Sequence, residues 1–481
     1  MRGIAPALVA WGLIGCQLRV LDVSSEGDEN EVCGADGEAC REGLVCAEVE
    51  HEDDDDDDDD ERRVCVAPVE VRGKVIDATS EAAIVGARVH GVDVAGEVLA
   101  AAAVSGEDGS YALAVDVRRA ADGAPLAVDL TLQAFAADYQ PFPAGLRVAL
   151  PVALAEARLD EERGAWVVEL PPTTIALVPL PEDRRGGVEV SGRVGGERPG
   201  GALVVAEGPK PAPYGVADRD GAYVLFNVPA GPATVRAYRR DLAVVGEKID
   251  VAGEDLAGVD LAADAAGVAE VRGAVNLVDP GDGEATSVVL IPDSVYDPAL
   301  ARGPLPFGLR APDPGAAPDV KNTFVMRGVP AGSYRVLAGF ENDSLVRDPD
   351  LTIGGTGVPT VSVKAGADAE IKEAFKITGA LAVLGPGVDA AEVVTGAPTF
   401  RFASDPGADH YDVRVFDGFG AVIWDTSVPK VGGGEPIEVP YAGPALTPGS
   451  YYQFRAVSLK DVGGMTPLSA TEDLRGVFIA G

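Results

Sequence analysis

Three segments of the chain open alike: Val71-Arg72-Gly73-Lys74-Val75, Val190-Ser191-Gly192-Arg193-Val194 and Val271-Arg272-Gly273-Ala274-Val275. Each then reaches a second landmark. In the first copy it is Asp108-Gly109-Ser110-Tyr111, followed by a longer excursion before Leu130-Thr131-Leu132-Gln133-Ala134-Phe135. In the second it is Asp220-Gly221-Ala222-Tyr223, then Val228-Pro229-Ala230-Gly231 and Val235-Arg236-Ala237-Tyr238. In the third it is Phe324-Val325-Met326, then Val329-Pro330-Ala331-Gly332 and Tyr334-Arg335-Val336-Leu337. Asp-Gly favours a tight turn. Apolar residues at every second position after it make a strand with one buried face. Pro-Ala-Gly then reverses the chain, because Pro fixes φ and Gly accepts positive φ. The next alternating run is the return strand. No segment sustains an amphipathic helix, and Ala153–Glu162 comes nearest. The expected fold is all-β, built of tandem β-sandwich modules.

These landmarks resemble the carboxypeptidase regulatory-like family, a transthyretin-like sandwich related to pilin B-type repeats. Ile84-Val85-Gly86-Ala87-Arg88-Val89 matches its early strand, and Asp220-Gly221 with Tyr223 and Val228-Pro229-Ala230-Gly231 matches its later hairpin. The resemblance implies seven-stranded sandwiches used as spacers or binding modules, over 68–182, 187–265 and 268–375. Some pilin relatives carry a Lys–Asn isopeptide bond. Lys74 stands in a suitable place, but Arg193 and Ala274 occupy the equivalent positions, so Lys74 is expected to face solvent. The last module, 376–481, reads differently. Leu446-Thr447-Pro448 leading to Tyr452 resembles the fibronectin type III pattern, which implies a tyrosine corner at Tyr452 and an inward Trp424.

The first residues resemble a bacterial lipoprotein signal. Met1-Arg2-Gly3 is a short basic start, and Ile4–Ile14 is an apolar run too short to span a bilayer. Leu13-Ile14-Gly15-Cys16 follows the pattern of a lipobox. The resemblance implies cleavage after residue 15 and diacylglycerol on the Cys16 thiol, a stable anchor once a second acyl site is filled. Gln17, rather than Asp, leans towards the outer membrane. The expected location is outside the cytoplasm, anchored by lipid.

Setting Cys16 aside leaves Cys33, Cys40, Cys46 and Cys65, all within segment 16–67. Four clustered cysteines in an exported chain read as two disulfides, with three possible connectivities. No Cys-x-x-Cys pair favours zinc. Between Cys46 and Cys65 runs Asp53–Asp60, eight carboxylates that repel one another and stay in solvent. From Asp22 to Glu61 there are twenty acidic residues against Arg41 alone, half of the formal net charge of −38. A chain so acidic has no basic face for phosphate, which excludes nucleic acid as a partner.

A search for catalytic chemistry finds neither a nucleophile elbow, a P-loop, a zinc-protease helix motif nor a dinucleotide fingerprint. The three histidines, His51, His90 and His410, are scattered. Asp218-Arg219-Asp220-Gly221 lacks the downstream Glu of a calcium loop and reads as a hairpin turn. No metal site, cofactor or enzymatic role is expected. The one exceptional loop is Asp293–Val320, since its counterparts close in a few residues. Its six prolines limit its freedom, and Tyr296, Arg302, Phe307 and Arg310 are candidate ligand-binding residues. The other outcome for Phe307 and Leu309 is folding back over a sheet edge or a neighbouring module. The expected function is display of sandwich modules for adhesion or ligand binding. An envelope accessory protein that binds glycan or peptide within a complex is the alternative, and an unrecognised hydrolase the third.

Overall fold

The computed structural model describes residues 31–33, 40–49, 63–208, 210–338, 343–348, 357–432 and 434–481. The signal segment 1–15, Cys16, His51 and Asp53–Asp60 lie outside the described residues. Among the described residues the chain is all-β. Its helical pieces there are three short 3-10 turns, Leu154–Glu156, Pro171–Thr173 and Glu182–Arg184. The segment nearest to a helix in sequence, 153–162, contains one of these turns and the strand Arg158–Asp160. Among the described residues no helix is long and apolar enough to cross a membrane.

The repeated landmarks have a common physical cause. In each copy the first strand pairs antiparallel with the strand after the turn: Val69–Asp77 with Ser110–Val115, Val188–Arg193 with Ala222–Val228, and Ala269–Val278 with Thr323–Val329. The register sets the repeated glycine opposite the repeated aromatic, as Gly73 with Tyr111, Gly192 with Tyr223 and Gly273 with Phe324. A Cβ on Gly73 would stand 1.9 Å from the Thr173 carbonyl oxygen, and one on Gly192 2.1 Å from that of Val259. Those same carbonyls accept the hydroxyls of Tyr111 (2.8 Å) and Tyr223. The missing side chain therefore lets a third segment pass close enough to receive the tyrosine. In the third copy Phe324 has no hydroxyl, and its ring fills the space above Gly273, 2.5 Å from where a Cβ would sit. A side chain at Gly73 or Gly192 would run into the backbone of the third segment, whereas one at Gly273 would have to displace the Phe324 ring.

Each module is a pair of sheets. In module 1 (68–182) the first sheet gathers Thr174–Leu177, Val69–Asp77, Ala165–Val168, Arg158–Asp160 and Ser110–Val115. The second gathers Ala103–Val104, Arg88–Asp93, Asp129–Phe135 and Val152–Ala153. Alternate residues Val69, Val71 and Val75 point into the core against Leu113, Leu130 and Leu132. Burying each such side chain contributes about 1.5–3 kcal/mol. Modules 2 (187–265) and 3 (268–375) repeat the plan, and module 3 covers Leu203, Val205 and Tyr238 of module 2 within its own core cluster. The strand Phe375–Gly379 pairs with Ala269–Val278 in the sheet of module 3, and module 4 follows it, a three-stranded sheet packed against a six-stranded one around Phe400, Phe402, Phe454 and Phe478. Trp424 is half-buried there, 5.1 Å from the Tyr441 ring, and the Tyr452 hydroxyl accepts the Thr447 N–H at 2.9 Å. Lys74 is exposed.

Candidate functional site

Before module 1, the hairpin Val45–Glu48 and Arg63–Val66 is fastened by Cys33–Cys46 and Cys40–Cys65. Its apolar cluster is small, Ala47, Val64 and Val66, so covalent closure does what a core cannot. The hairpin is tied to module 1 by the Arg119 N–H donating to the Glu48 carbonyl at 2.9 Å. Arg119 itself is fully buried, and all three guanidinium nitrogens lack a hydrogen-bond partner. Burial lowers its pKa to about 10, partly countered by Asp116, so it stays charged at neutral pH.

The long loop of module 3 is neither free nor continuous. Residues Arg310–Ala311 return as a short strand beside Val288–Pro292, where the Arg310 side chain donates to Ser287 Oγ at 2.7 Å. Tyr296 lies beneath the Arg335 guanidinium, 5.4 Å from the ring centre. The Phe307 ring sits under Arg239 of module 2 at 4.7 Å, and the Phe307 carbonyl accepts the Arg240 N–H at 2.9 Å. The same ring reaches module 1, where a Cβ on Gly96 would touch it at 3.5 Å. Arg302 crosses to module 4, donating to Gln453 Oε1 at 3.3 Å and to the Asp473 carbonyl at 2.9 Å. Burial, with Arg455 beside it, brings the Arg302 pKa down to about 10. Leu309 is fully buried, and Leu300 joins a cluster with Leu146 of module 1 and Phe416 and Val477 of module 4. The loop expected to offer ligand-binding residues is in contact with modules 1, 2 and 4 of its own chain. Apolar groups and arginines mark a loop that makes contacts, but composition does not say whether those contacts lie on the same chain.

The junctions form a circuit. Modules 1 and 2 meet through Val92, Val98, Phe135 and Val216, the Arg88–Asp218 pair at 3.3 Å and Arg219–Asp116 at 2.6 Å. His90 is buried at this junction, edge-on to Phe135 with ring centres 5.8 Å apart. Burial, and secondarily Arg88, pushes its pKa down to about 3, so it is neutral and a poor base. Modules 2 and 3 meet through Tyr238 against Tyr334 and Lys210–Asp293 at 3.1 Å. Modules 3 and 4 meet through Arg302, the Arg455 bond to the Leu300 carbonyl (3.0 Å) and the Ser344 N–H bond to Glu472 (2.8 Å). Module 4 then returns to module 1. Gln140 donates to the Gly418 carbonyl at 3.2 Å, and Arg147 stacks over Tyr451 at 5.5 Å. Tyr451 is therefore part of the contact between modules 1 and 4.

This return creates a cleft of about 700 Å³, within the usual range of ligand pockets and at a domain junction where such pockets concentrate. Asp77, Thr79, Ser80, Asp138 and Tyr139 line it from module 1, Val178, Pro179, Leu180, Pro181 and Arg185 from the end of that module and the linker after it, and Phe419 from the tip of the module 4 hairpin. Asp77 Oδ1 accepts the N–H groups of Thr79 (2.7 Å) and Ser80 (2.8 Å), and Oδ2 accepts the Tyr139 hydroxyl (2.9 Å). Desolvation works against the Asp77 charge, but these donors outweigh it and hold the carboxyl below its ordinary value. Asp138 adopts φ 67°, a left-handed conformation costly for a residue other than glycine. Surrounding bonds impose it: the Asp138 N–H donates to Asn227 Oδ1 of module 2 at 2.6 Å, and its Oδ1 accepts the Gly186 N–H at 2.7 Å. None of these cleft residues stands out in the sequence, because the cleft exists only where separate modules converge.

No protein-family model matches the chain, and no curated protein matches it. Among solved structures it is similar to the TIE protein of Bacillus anthracis, at 10% identity and a TM-score of 0.14, over 82% of this chain and 65% of that one. This chain therefore spans just under two thirds of that protein. It is also similar to the minor pilin GBS52 of Streptococcus agalactiae, at 12% identity and a TM-score of 0.20, over 42% of this chain and 100% of that one. Two B repeat units of the collagen-binding protein of Staphylococcus aureus match at 10% identity and a TM-score of 0.16, over 86% and 99%.

Proposed function

We propose that the chain is a non-enzymatic, lipid-anchored protein of the cell envelope whose four sandwich modules form one preassembled body for adhesion or ligand binding. The observation that carries this reading is the circuit of junctions closed by the 293–320 loop. A flexible string of beads would pay an ordering cost each time it bound, whereas a preassembled body does not. The closed circuit replaces the extended stalk that tandem repeats suggest, since module 4 is returned to module 1 rather than held at the far end. The Leu13-Ile14-Gly15-Cys16 motif supports the anchor, and the paired cysteines suit an oxidising compartment. The Thr447–Tyr452 bond supports the fibronectin type III-like reading of module 4.

Metabolic labelling with a palmitate analogue tests the anchor: wild type takes the label and Cys16→Ser does not, and equal labelling of both overturns it. Protease shaving of intact cells tests display. Cleavage only after the outer membrane is opened favours a periplasmic, outer-membrane-tethered accessory protein that binds glycan or peptide, a reading that the cleft also supports.

A further inference from the structure

We infer that the cleft between modules 1 and 4 binds a neutral oligosaccharide, an inference that names a ligand class for the binding body proposed above and rests on that reading.

The chemistry of the lining selects the class. A saccharide offers hydroxyl donors on its rim and a C–H face on its ring. The cleft offers carboxylates to the first and Tyr139, Phe419 and Leu180 to the second. Asp77 is already aligned by three donors and keeps lone pairs for a fourth, and hydrogen bonds to a carboxylate are stronger than neutral ones. The exposed Thr79 and Ser80 add hydroxyls that both donate and accept. Two carboxylates against Arg185, in a chain of net charge −38, disfavour an anionic sugar. The arrangement is held before any ligand arrives. Asp138 is kept in its left-handed conformation by Asn227 of module 2 and Gly186 of the linker between modules 1 and 2, and Phe419 is delivered by the Gln140–Gly418 contact. A left-handed residue held in place by a bond from a second module, at the wall of a cleft of about 700 Å³, is a feature of binding sites.

The test uses the full chain extracted in mild detergent and titrated calorimetrically with maltotriose, chitotriose and a β-linked galactotriose. A uronic-acid trisaccharide and a proline-rich peptide serve as opposing probes. At least one neutral sugar binds, and Phe419→Ala weakens it at least tenfold. Because Phe419→Ala could loosen the junction, Thr79→Val and Asp138→Asn supply the second arm. The first removes only an exposed hydroxyl, and the second removes the charge while keeping an acceptor for Gly186. Each weakens binding at least threefold with Tm unchanged. Absence of binding by all three neutral sugars, preference for the acidic sugar or the peptide, or sugar binding indifferent to all three variants overturns the inference. These results are independent of palmitate labelling and shaving, so a failed site leaves the anchored binding body standing, and a failed anchor leaves the site standing.

Discussion

Replacing residues 295–318 with a short Gly/Ser linker is expected to destabilise the protein severely. The exchange removes Val295, Leu300 and Leu309, which are 5%, 2% and 0% exposed. At about 1.5–3 kcal/mol for each buried aliphatic side chain, their loss alone amounts to roughly 5–9 kcal/mol. The Phe307–Arg239 stack adds about 0.5–2 kcal/mol. The Arg302 bonds to Gln453 and Asp473 add about 1.5–3 kcal/mol each, as charged donors. A whole domain is stable by only about 5–15 kcal/mol, so the loss is comparable to the stability of module 3 itself. For a domain of about 100 residues each kcal/mol moves Tm by about 4–8 °C, and even strong cooperation between modules leaves a fall of at least about 10 °C. Differential scanning calorimetry should also show the endotherm of module 4 separating from the rest, because Arg302 and Leu300 link it to module 3. Leu309→Ala is the milder version, expected to cost about 2–5 kcal/mol. A Tm within 2 °C of wild type, with an unchanged endotherm, would refute the structural role and return the loop to the set of free binding segments.

Three further outcomes are expected. His90 binds a proton in the unfolded chain below its ordinary pKa of 6.5 but in the fold only near 3, so stability is present above pH 6.5 and is lost as pH falls from 6.5 towards about 3, by up to about 1.4 kcal/mol per pH unit. Denaturant titrations across that window should show the slope in wild type and a flatter profile in His90→Phe, and identical slopes would exclude His90 as the cause. Arg119→Met should leave stability unchanged or raise it by about 1–4 kcal/mol, since an unpaired guanidinium gives up its hydration without compensation; a clear fall in the urea midpoint would mean that the charge is paired in solution. Peptide mapping without reduction should recover Cys33–Cys46 and Cys40–Cys65, each stabilising by about 2–4 kcal/mol, and a Cys33–Cys40 peptide would contradict this pairing.

What could be read from the sequence was what depends on local periodicity. The alternation of Val69, Val71 and Val75 gave a strand with one buried face, and Asp108-Gly109 and Asp220-Gly221 gave turns with φ of 74° and 81° at the glycines. The repeated Val-x-Gly opening was visible, but its cause was not. Gly73 and Gly192 are required by carbonyls 100 and 67 residues away, Thr173 and Val259, and no local pattern encodes such a neighbour. Cysteine clustering gave two bridges but not their pairing, because Cys46 and Cys65 sit opposite each other in the hairpin yet bond to Cys33 and Cys40 outside it. The cleft was hidden for the same reason. Asp77 ends a strand, Asp138 occupies a turn, and Phe419 tips a hairpin 281 residues further on, and each looks ordinary alone.

The junctions follow a subtler rule. A sandwich strand should carry apolar residues on one face only, yet Phe135, Val92 and Val216 are apolar on faces that the core of their own module does not cover. Such residues need a second apolar surface, and here the adjoining module supplies it. The same logic applies to Tyr296, Phe307 and Leu309. Their side chains specify the chemistry of a contact, an apolar face with a cation above it, and Arg239 and Arg335 meet that specification within the chain. Recognition chemistry is the same in cis and in trans. A docking segment in a multi-module chain should therefore be tested first against the chain's own modules, because linkage gives them an effective concentration that a separate partner must exceed.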